Sequence, residues 1–351
     1  VEIKELLKSA LLANVSDVIL VVNEPPIFRV NNALILQQSP ALTAKTIDSI
    51  ILAMISAEKK AIFDKERELD FAYDLDGKTR FRVNLHFEKG NPAITLRMIP
   101  NRIPSLKELG LPAVIGELSR IPRGLILVTG PTGHGKSTTQ ACMVDMINND
   151  FERHIITIED PIEYLHGNKK SIIEQREVGS DTLSFAQGLK HVLRQNPDVI
   201  LIGEMRDFET IGVALTAAET GHLVISTLHT SDATTSIDRI IDVFPPHQQN
   251  QVRTQLSFTL QGVISQQLMV RKDGKGRIPA VEILKVNSGI RNIIRKGSTH
   301  EISSMMEINK RSGMQTMDGN LAELYRQGLI TREDAISRAI NQEHFEKTIL
   351  L

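Results

Sequence analysis

Hydrophobic and polar positions follow two different rhythms along the chain. Up to about residue 100 the apolar runs are short. Asp17-Val18-Ile19-Leu20-Val21-Val22 predicts a strand, and Phe28-Arg29-Val30 followed by Ala33-Leu34-Ile35-Leu36 across Asn31-Asn32 predicts a hairpin. Ile3, Leu6, Leu7, Ala10 and Leu11 share one helical face, and Thr43 is placed to cap a helix running to about Ser56. Phe71-Ala72-Tyr73, Arg80 to Phe87 and Ala93 to Met98 read as further strands, with turns at Asp76-Gly77 and Gly90-Asn91. Residues 1–100 thus form an α+β module with an antiparallel sheet. The stripe on the first helix packs on its own domain or, alternatively, on another subunit.

Pro100, Pro104, Pro112 and Pro122 interrupt regular structure, so residues 101–121 read as a linker with one short helix, Leu106–Leu109. The rhythm then changes. Strands are expected over 124–129, 154–158, 199–203 and 223–227, and helices over 136–147, 184–194 and 207–219. Such alternation argues for a mainly parallel sheet flanked by helices, within a domain spanning 122–287. Residues 288–351 are polar and helical, a small C-terminal bundle. The fold class is α/β.

Composition narrows the function more than the fold. The 351 residues allow two cores, and 41% hydrophobic with 24% charged residues is ordinary for a soluble globular protein. A net charge of −1 gives no bulk reason to bind nucleic acid or an anionic membrane. One cysteine, Cys142, excludes an intramolecular disulfide and a cysteine-cluster zinc site, and reads as a small buried filler. No apolar run approaches a membrane span, and Lys4, Glu5 and Lys8 break any signal-peptide pattern, so a cytosolic protein is expected.

The chemistry starts at Gly130-Pro131-Thr132-Gly133-His134-Gly135-Lys136-Ser137-Thr138. This stretch follows the apolar run ending at Thr129 and opens a helix, the context of a phosphate-binding loop. Its glycines let backbone N–H groups curl toward an anion, and the helix N-terminus adds its positive end. Lys136 reaches the β/γ-phosphates of a nucleoside triphosphate, and the Ser137 hydroxyl holds Mg²⁺. The apolar strand Val199-Ile200-Leu201-Ile202 ends at Gly203-Glu204, which makes Glu204 the first carboxylate at that strand's end. Read with the loop, it is the general base that polarises water toward the γ-phosphate and faces Mg²⁺ through water; read alone, it is a capping or surface acid. Thr157-Ile158-Glu159-Asp160-Pro161-Ile162-Glu163 runs a strand into three acids, which fits a ligand edge or a solvated loop. His222 and His229 bracket one strand roughly 23 Å apart, too far to share a metal. His229, at the carboxyl end, is placed to contact the γ-phosphate.

In this order the phosphate loop, Thr157 to Glu163, Gly203-Glu204-Met205-Arg206-Asp207 and Thr220-Gly221-His222 through His229-Thr230 resemble the Walker A, Asp, Walker B and His boxes of type II/type IV secretion ATPases. The resemblance extends over nearly the whole chain and is nearest to the pilus-retraction branch. It implies a PAS-like N-terminal domain, a RecA-like P-loop ATPase domain and a homo-hexameric ring. Nucleotide would sit between domains, with ATP and Mg²⁺ as cofactors. The motor would lie in the cytoplasm, peripheral to the inner membrane, against a platform protein at the base of a type IV pilus. The resemblance also implies catalytic roles for Glu204 and Glu163 and a nucleotide-sensing role for His229. Glu159, Asp160, Arg194 and His222 would contribute to the nucleotide site. Arg82 and Arg97, which sequence alone reads as cross-strand surface charges, would reach the phosphates.

Three positions depart from the family pattern. His134 replaces a serine and is expected to turn out of the loop. Lys190 replaces an arginine, which removes a bidentate donor. Ile19 replaces the histidine of an N-terminal Ser-Asp-Leu-His-Leu pattern. Pilus assembly and type II secretion ATPases usually carry an N-terminal extension and a four-cysteine zinc site, which this sequence lacks. Ser288-Gly289-Ile290-Arg291-Asn292-Ile293-Ile294-Arg295 resembles a retraction-linked motif, which favours retraction over the plainer reading of a surface amphipathic helix with solvated arginines; an accessory retraction ATPase stays open as an alternative. A nucleic-acid translocase and a nucleotide-gated scaffold are the readings from other classes.

Overall fold

The computed structural model describes residues 2–350 apart from Asn14, Asn31, Asn32, Lys78 and Asn101. The turn expected at Asn31-Asn32 therefore lies outside the described residues. Two compact units result, residues 1–102 with 163–165, and residues 103–162 with 166–351.

The first unit contains α1 (Ile3–Leu12), β1 (Asp17–Leu20), β2 (Ile27–Val30), β3 (Ala33–Leu36), α2 (Ala44–Met54), α3 (Ala57–Glu66), β4 (Glu68–Asp74), β5 (Arg80–Glu88) and β6 (Asn91–Ile99). Its strands form one antiparallel sheet in the order β3-β2-β1-β6-β5-β4. The α1 stripe is satisfied within the unit, where Ile3, Leu6, Leu7 and Ala10 join a core with Val18, Leu20, Val83, Ile94 and Leu96. Thr43 caps α2 as expected, its hydroxyl accepting the Thr46 N–H at 3.1 Å. The helix α3 escapes the sequence pattern because Phe63 is its only buried side chain.

The second unit opens with α4 (Leu106–Leu109) and α5 (Val114–Ser119). Residues expected as a linker are in fact packed: Ile115 and Leu118 of α5 are buried against the main sheet. There follow β7 (Gly124–Thr129), α6 (Lys136–Asp150), β8 (His154–Glu159), β9 (Ile172–Glu177), α7 (Phe185–Val192), β10 (Val199–Ile202), α8 (Phe208–Glu219) and β11 (Leu223–Leu228). Then come α9 (Ala233–Asp242), α10 (Pro246–Thr259), β12 (Leu260–Val270), β13 (Arg277–Lys285), α11 (Ser288–Lys296), α12 (Ile302–Ile308), α13 (Met317–Arg326), α14 (Arg332–Arg338) and α15 (Gln342–Leu350). The sheet order is β13-β12-β7-β11-β10-β8-β9, parallel except for the antiparallel pair β12/β13.

Continuous apolar strands need two covered faces, and both are covered here. On β7, Leu125 and Leu127 join the core beneath α8 to α11, whereas Ile126 and Val128 join the core beneath α5 and α6. Ile290, Ile293 and Ile294 of α11 enter the first of these cores, as their shared face predicts. Arg291 is not a free surface charge. Its Nη1 donates to the carbonyls of Ser257 and Phe258, closing the C-terminal end of α10. Cys142 is buried, which pushes its thiol up to about 11. Among the described residues no helix is long and apolar enough to cross a membrane.

Candidate functional site

Parallel strands in register bring their carboxyl ends to one edge, and the order of the central strands decides which residues meet there. Leu228 of β11 pairs with Thr129 of β7, and Ile202 of β10 pairs with both Ser226 and Ile158. The next residues out are Gly130, His229, Gly203-Glu204 and Glu159-Asp160. They line one rim.

The loop between β7 and α6 takes its shape from backbone constraints. Gly130 has φ 137° and Gly133 φ 79°, in the region that side chains avoid. At Gly130 sterics add to conformation, because a Cβ there would lie 2.2 Å from the Gln266 carbonyl oxygen of β12. At Gly133 conformation alone acts, since nothing lies within 4 Å. Lys136 is 8% exposed, and its Nζ donates to the carbonyls of Gly130 at 2.8 Å and Pro131 at 3.0 Å. Neutral carbonyls hold an ammonium less strongly than phosphate oxygens do, so the lysine is poised to exchange partners. Ser137 and Thr138 sit half-buried in the first turn of α6.

Glu204 lies at the centre of the rim. The turn that carries it is pinned on both sides, with the Gly203 N–H donating to Ile158 O and Thr227 Oγ1 donating to Gly203 O at 2.6 Å. The carboxylate is 19% exposed. Its Oε1 lies 2.7 Å from Arg206 Nε, and its Oε2 lies 3.2 Å from His229 Nε2. The other ring nitrogen of His229 is 3.5 Å from both Lys136 Nζ and Thr132 Oγ1. One imidazole therefore spans the distance between the phosphate-loop lysine and the strand-end acid. On the far side, Glu159 Oε1 accepts from Thr157 Oγ1 at 2.6 Å and from Gln175 Nε2 at 3.1 Å. Asp160 leads into a cis bond at Pro161, and Glu163 is exposed.

Two expected site residues are placed elsewhere. Arg194 and His222 precede β10 and β11, so strand direction puts them on the amino edge. The His222 carbonyl accepts the N–H of Gly124, where β7 begins, a full strand length away from Gly130. Arg194 lines a groove of about 450 Å³ between α7 and α8, next to Lys190, which pairs with Glu209. Within this chain neither joins the rim.

In the first unit a row of charges crosses the sheet. Asp17 is the register partner of both Arg29 and Arg97, and Arg97 is that of Arg82. The buried Asp17 accepts Arg97 Nε at 2.8 Å and has Arg29 Nε at 3.5 Å. Arg97 keeps 70% of its side chain exposed, and among the described residues Arg82 has no hydrogen-bond or ion-pair partner. The two arginines predicted from the family resemblance are thus neighbours on one face. Asp17, which anchors one of them, falls at the aspartate of the Ser-Asp-Leu-His-Leu pattern that Ile19 interrupts, and that pattern alone gives it no role.

His134 turns out of the loop and onto β12, where its Nδ1 accepts the Leu268 N–H at 3.1 Å. Burial, aided by Arg338, Lys136 and Arg277, holds its pKa below the ordinary imidazole value. A depressed histidine pKa contributes stability that is complete above the unfolded value near 6.5 and is lost as pH falls below it. A protonated Nδ1 also has no lone pair for Leu268. Between about pH 7 and about pH 5.5 the melting temperature of the wild type should fall more steeply than that of His134→Ser. His166, pushed down to about 4 by burial, acts with the same sign in both proteins and cancels in the comparison. Equal slopes would contradict the role given to His134.

The family model for type II/IV secretion system proteins matches residues 2–338. The chain belongs to that family. Among curated relatives, a twitching motility protein of Neisseria gonorrhoeae is 47% identical over 91% of this chain and 85% of its own length. The type IV pilus retraction ATPase PilT of Pseudomonas aeruginosa is 44% identical over 98% of this chain and 100% of its own. Among solved structures, the crystal structure of the pilus retraction motor PilT with bound ADP superposes with a TM-score of 0.92 at 46% identity, covering 99% of each chain. The observed α/β architecture, an antiparallel sheet unit followed by a mostly parallel one, is therefore a known arrangement of this secretion family.

Proposed function

We propose that this chain is an ATP hydrolase that converts turnover into retraction of a type IV pilus, working as a homo-hexameric ring. The observation that carries the reading is the rim itself, where Lys136, His229 and Glu204 stand in sequence across adjacent strand ends beside a phosphate-binding loop. The names of the similar proteins, PilT and a twitching motility protein, supply the process, and the ADP in the PilT crystal structure supports the ligand. In this reading residues 1–100 are a PAS-like domain and residues 122–287 a RecA-like core. The protein sits at the cytoplasmic face of the inner membrane, against the pilus platform protein.

The roles follow from charge and position. Loop N–H groups and the N-terminal end of α6 cradle the phosphates, and Lys136 exchanges its carbonyl partners for phosphate oxygens. Ser137 would hold Mg²⁺ through its hydroxyl and Glu204 would act on it through water; the ion would neutralise charge on the phosphate oxygens. Glu204 takes a proton from the water that attacks the γ-phosphorus, and His229 reports whether a γ-phosphate is present. Glu159 and Asp160 set the polarity of the far rim, and Glu163 keeps the catalytic role that the family resemblance implies. Arg82 and Arg97 supply positive charge to the phosphates. Turnover of Mg-ATP by the purified chain, with sedimentation as a closed ring in the same buffer, is the expected result. A protein that binds ATP without hydrolysing it, or whose hydrolysis requires DNA, would overturn the reading in favour of a scaffold or a translocase.

A further inference from the structure

The phosphate loop is held from behind by a residue about 130 positions downstream. The strand β12 runs parallel to β7, with Ile264 opposite Val128 and Ser265 opposite Thr129. It then continues past the end of β7, so Gln266 comes to lie behind Gly130. Gln266 is 3% exposed, and both ends of its carboxamide are used. Its Oε1 accepts the Thr139 hydroxyl of α6 at 2.7 Å, and its Nε2 donates to the His134 carbonyl at 2.8 Å. Its main-chain oxygen fills the space where a Gly130 side chain would begin. One residue therefore touches the loop at its first glycine, at its last peptide and at the helix that follows.

We propose that Gln266 is the positioning residue that sets the phosphate loop in its nucleotide-binding shape. The peptide plane supplies the mechanism. The C=O of His134 and the N–H of Gly135 belong to one planar trans amide and point in opposite directions. Fixing the carbonyl on Gln266, behind the loop, aims the Gly135 N–H away from Gln266, toward the side a phosphate occupies. The His134 carbonyl, which can only accept, keeps the carboxamide from flipping, because the reversed amide would set oxygen against oxygen there; the Thr139 hydroxyl then donates to the Oε1 that faces it and ties the fork to α6. Unlike a polar group merely satisfied in a core, this fork joins the two structures whose relative position defines an anion site: the loop and the N-terminus of α6.

The proposal rests on the reading of the loop as a nucleotide site, and one set of titrations separates the two. Gln266→Met preserves volume and removes both hydrogen bonds. Thr139→Val preserves shape and removes one. Nucleotide affinity is read from ADP binding, and KM and kcat from Mg-ATP turnover. For Gln266→Met, the ADP dissociation constant and KM should rise about tenfold, the worth of one aligned donor to a charged ligand, with a much smaller change in kcat. Thr139→Val should raise both about threefold. A folded Gln266→Met protein with wild-type ADP affinity overturns the proposal. So does a Thr139→Val protein with wild-type affinity, should the first variant fail to fold. A fall in melting temperature without a change in affinity or KM marks Gln266 as a core residue only, and also overturns it. Wild-type protein that binds no ADP fails the nucleotide reading itself.

Discussion

Glu204→Gln lowers ATP turnover by about 10²- to 10³-fold and leaves ATP and ADP affinity within a few-fold of wild type. The substitution is nearly isosteric. The turn at Gly203 is pinned by backbone contacts with Ile158 and Thr227 that do not involve the side chain, so the rim keeps its form. What is lost is an anion able to accept a proton. A glutamine oxygen still reaches His229 Nε2, now at 3.2 Å from the carboxylate, but it cannot act as a base. Binding is spared because affinity comes from the loop, Lys136 and α6, on the other side of His229. Single-turnover hydrolysis and nucleotide titration on the same preparation check both halves. Near-normal turnover would remove Glu204 from the chemistry, and a parallel loss of affinity would make it a binding residue instead.

Gly130→Ala loses nucleotide binding and costs about 2 kcal/mol or more of stability. Two constraints act together there. The backbone sits at φ 137°, and a Cβ would lie 2.2 Å from the Gln266 carbonyl oxygen, a backbone atom fixed within the sheet. Either the loop leaves β12 or β12 leaves β7, and each movement separates the loop from its brace. Gly133→Ala is the internal control. With φ 79° but nothing within 4 Å, it meets conformational strain alone and costs about 1 kcal/mol. Chemical denaturation with ADP titration on the two variants measures the difference. Equal effects would mean that the contact with Gln266 does not matter.

Local rules reached some of this architecture and stopped where long-range packing took over. The phosphate loop was legible because its glycines, lysine and flanking elements are contiguous. Glu204 was legible because an apolar run of four residues points at it. The arginines Arg82 and Arg97 came from family resemblance, and only the register of β5 on β6 shows that they are neighbours. Arg194 and His222 carry motif resemblance without direction: each precedes its strand, and a parallel sheet sends such residues to the amino edge. The stretch 101–121 reads as a linker because its prolines outweigh the buried apolar side chains of α5, Val114, Ile115 and Leu118. Gln266 was hidden for a different reason. Ser265-Gln266-Gln267 is a polar interruption in a buried strand, but its partners Thr129, His134 and Thr139 are more than a hundred residues earlier. Polar residues inside an apolar strand beside a phosphate loop are the signal that would have found it.

The rim and the family membership meet in one physiological claim, that hydrolysis at Glu204 shortens pili. Pilus length and twitching in cells lacking this chain, complemented with wild type or with Glu204→Gln, test it most directly. Retraction driven by this chain predicts hyperpiliated, non-twitching cells that wild type rescues and Glu204→Gln does not. Bald cells in the deletion strain would contradict it and make the chain an assembly motor.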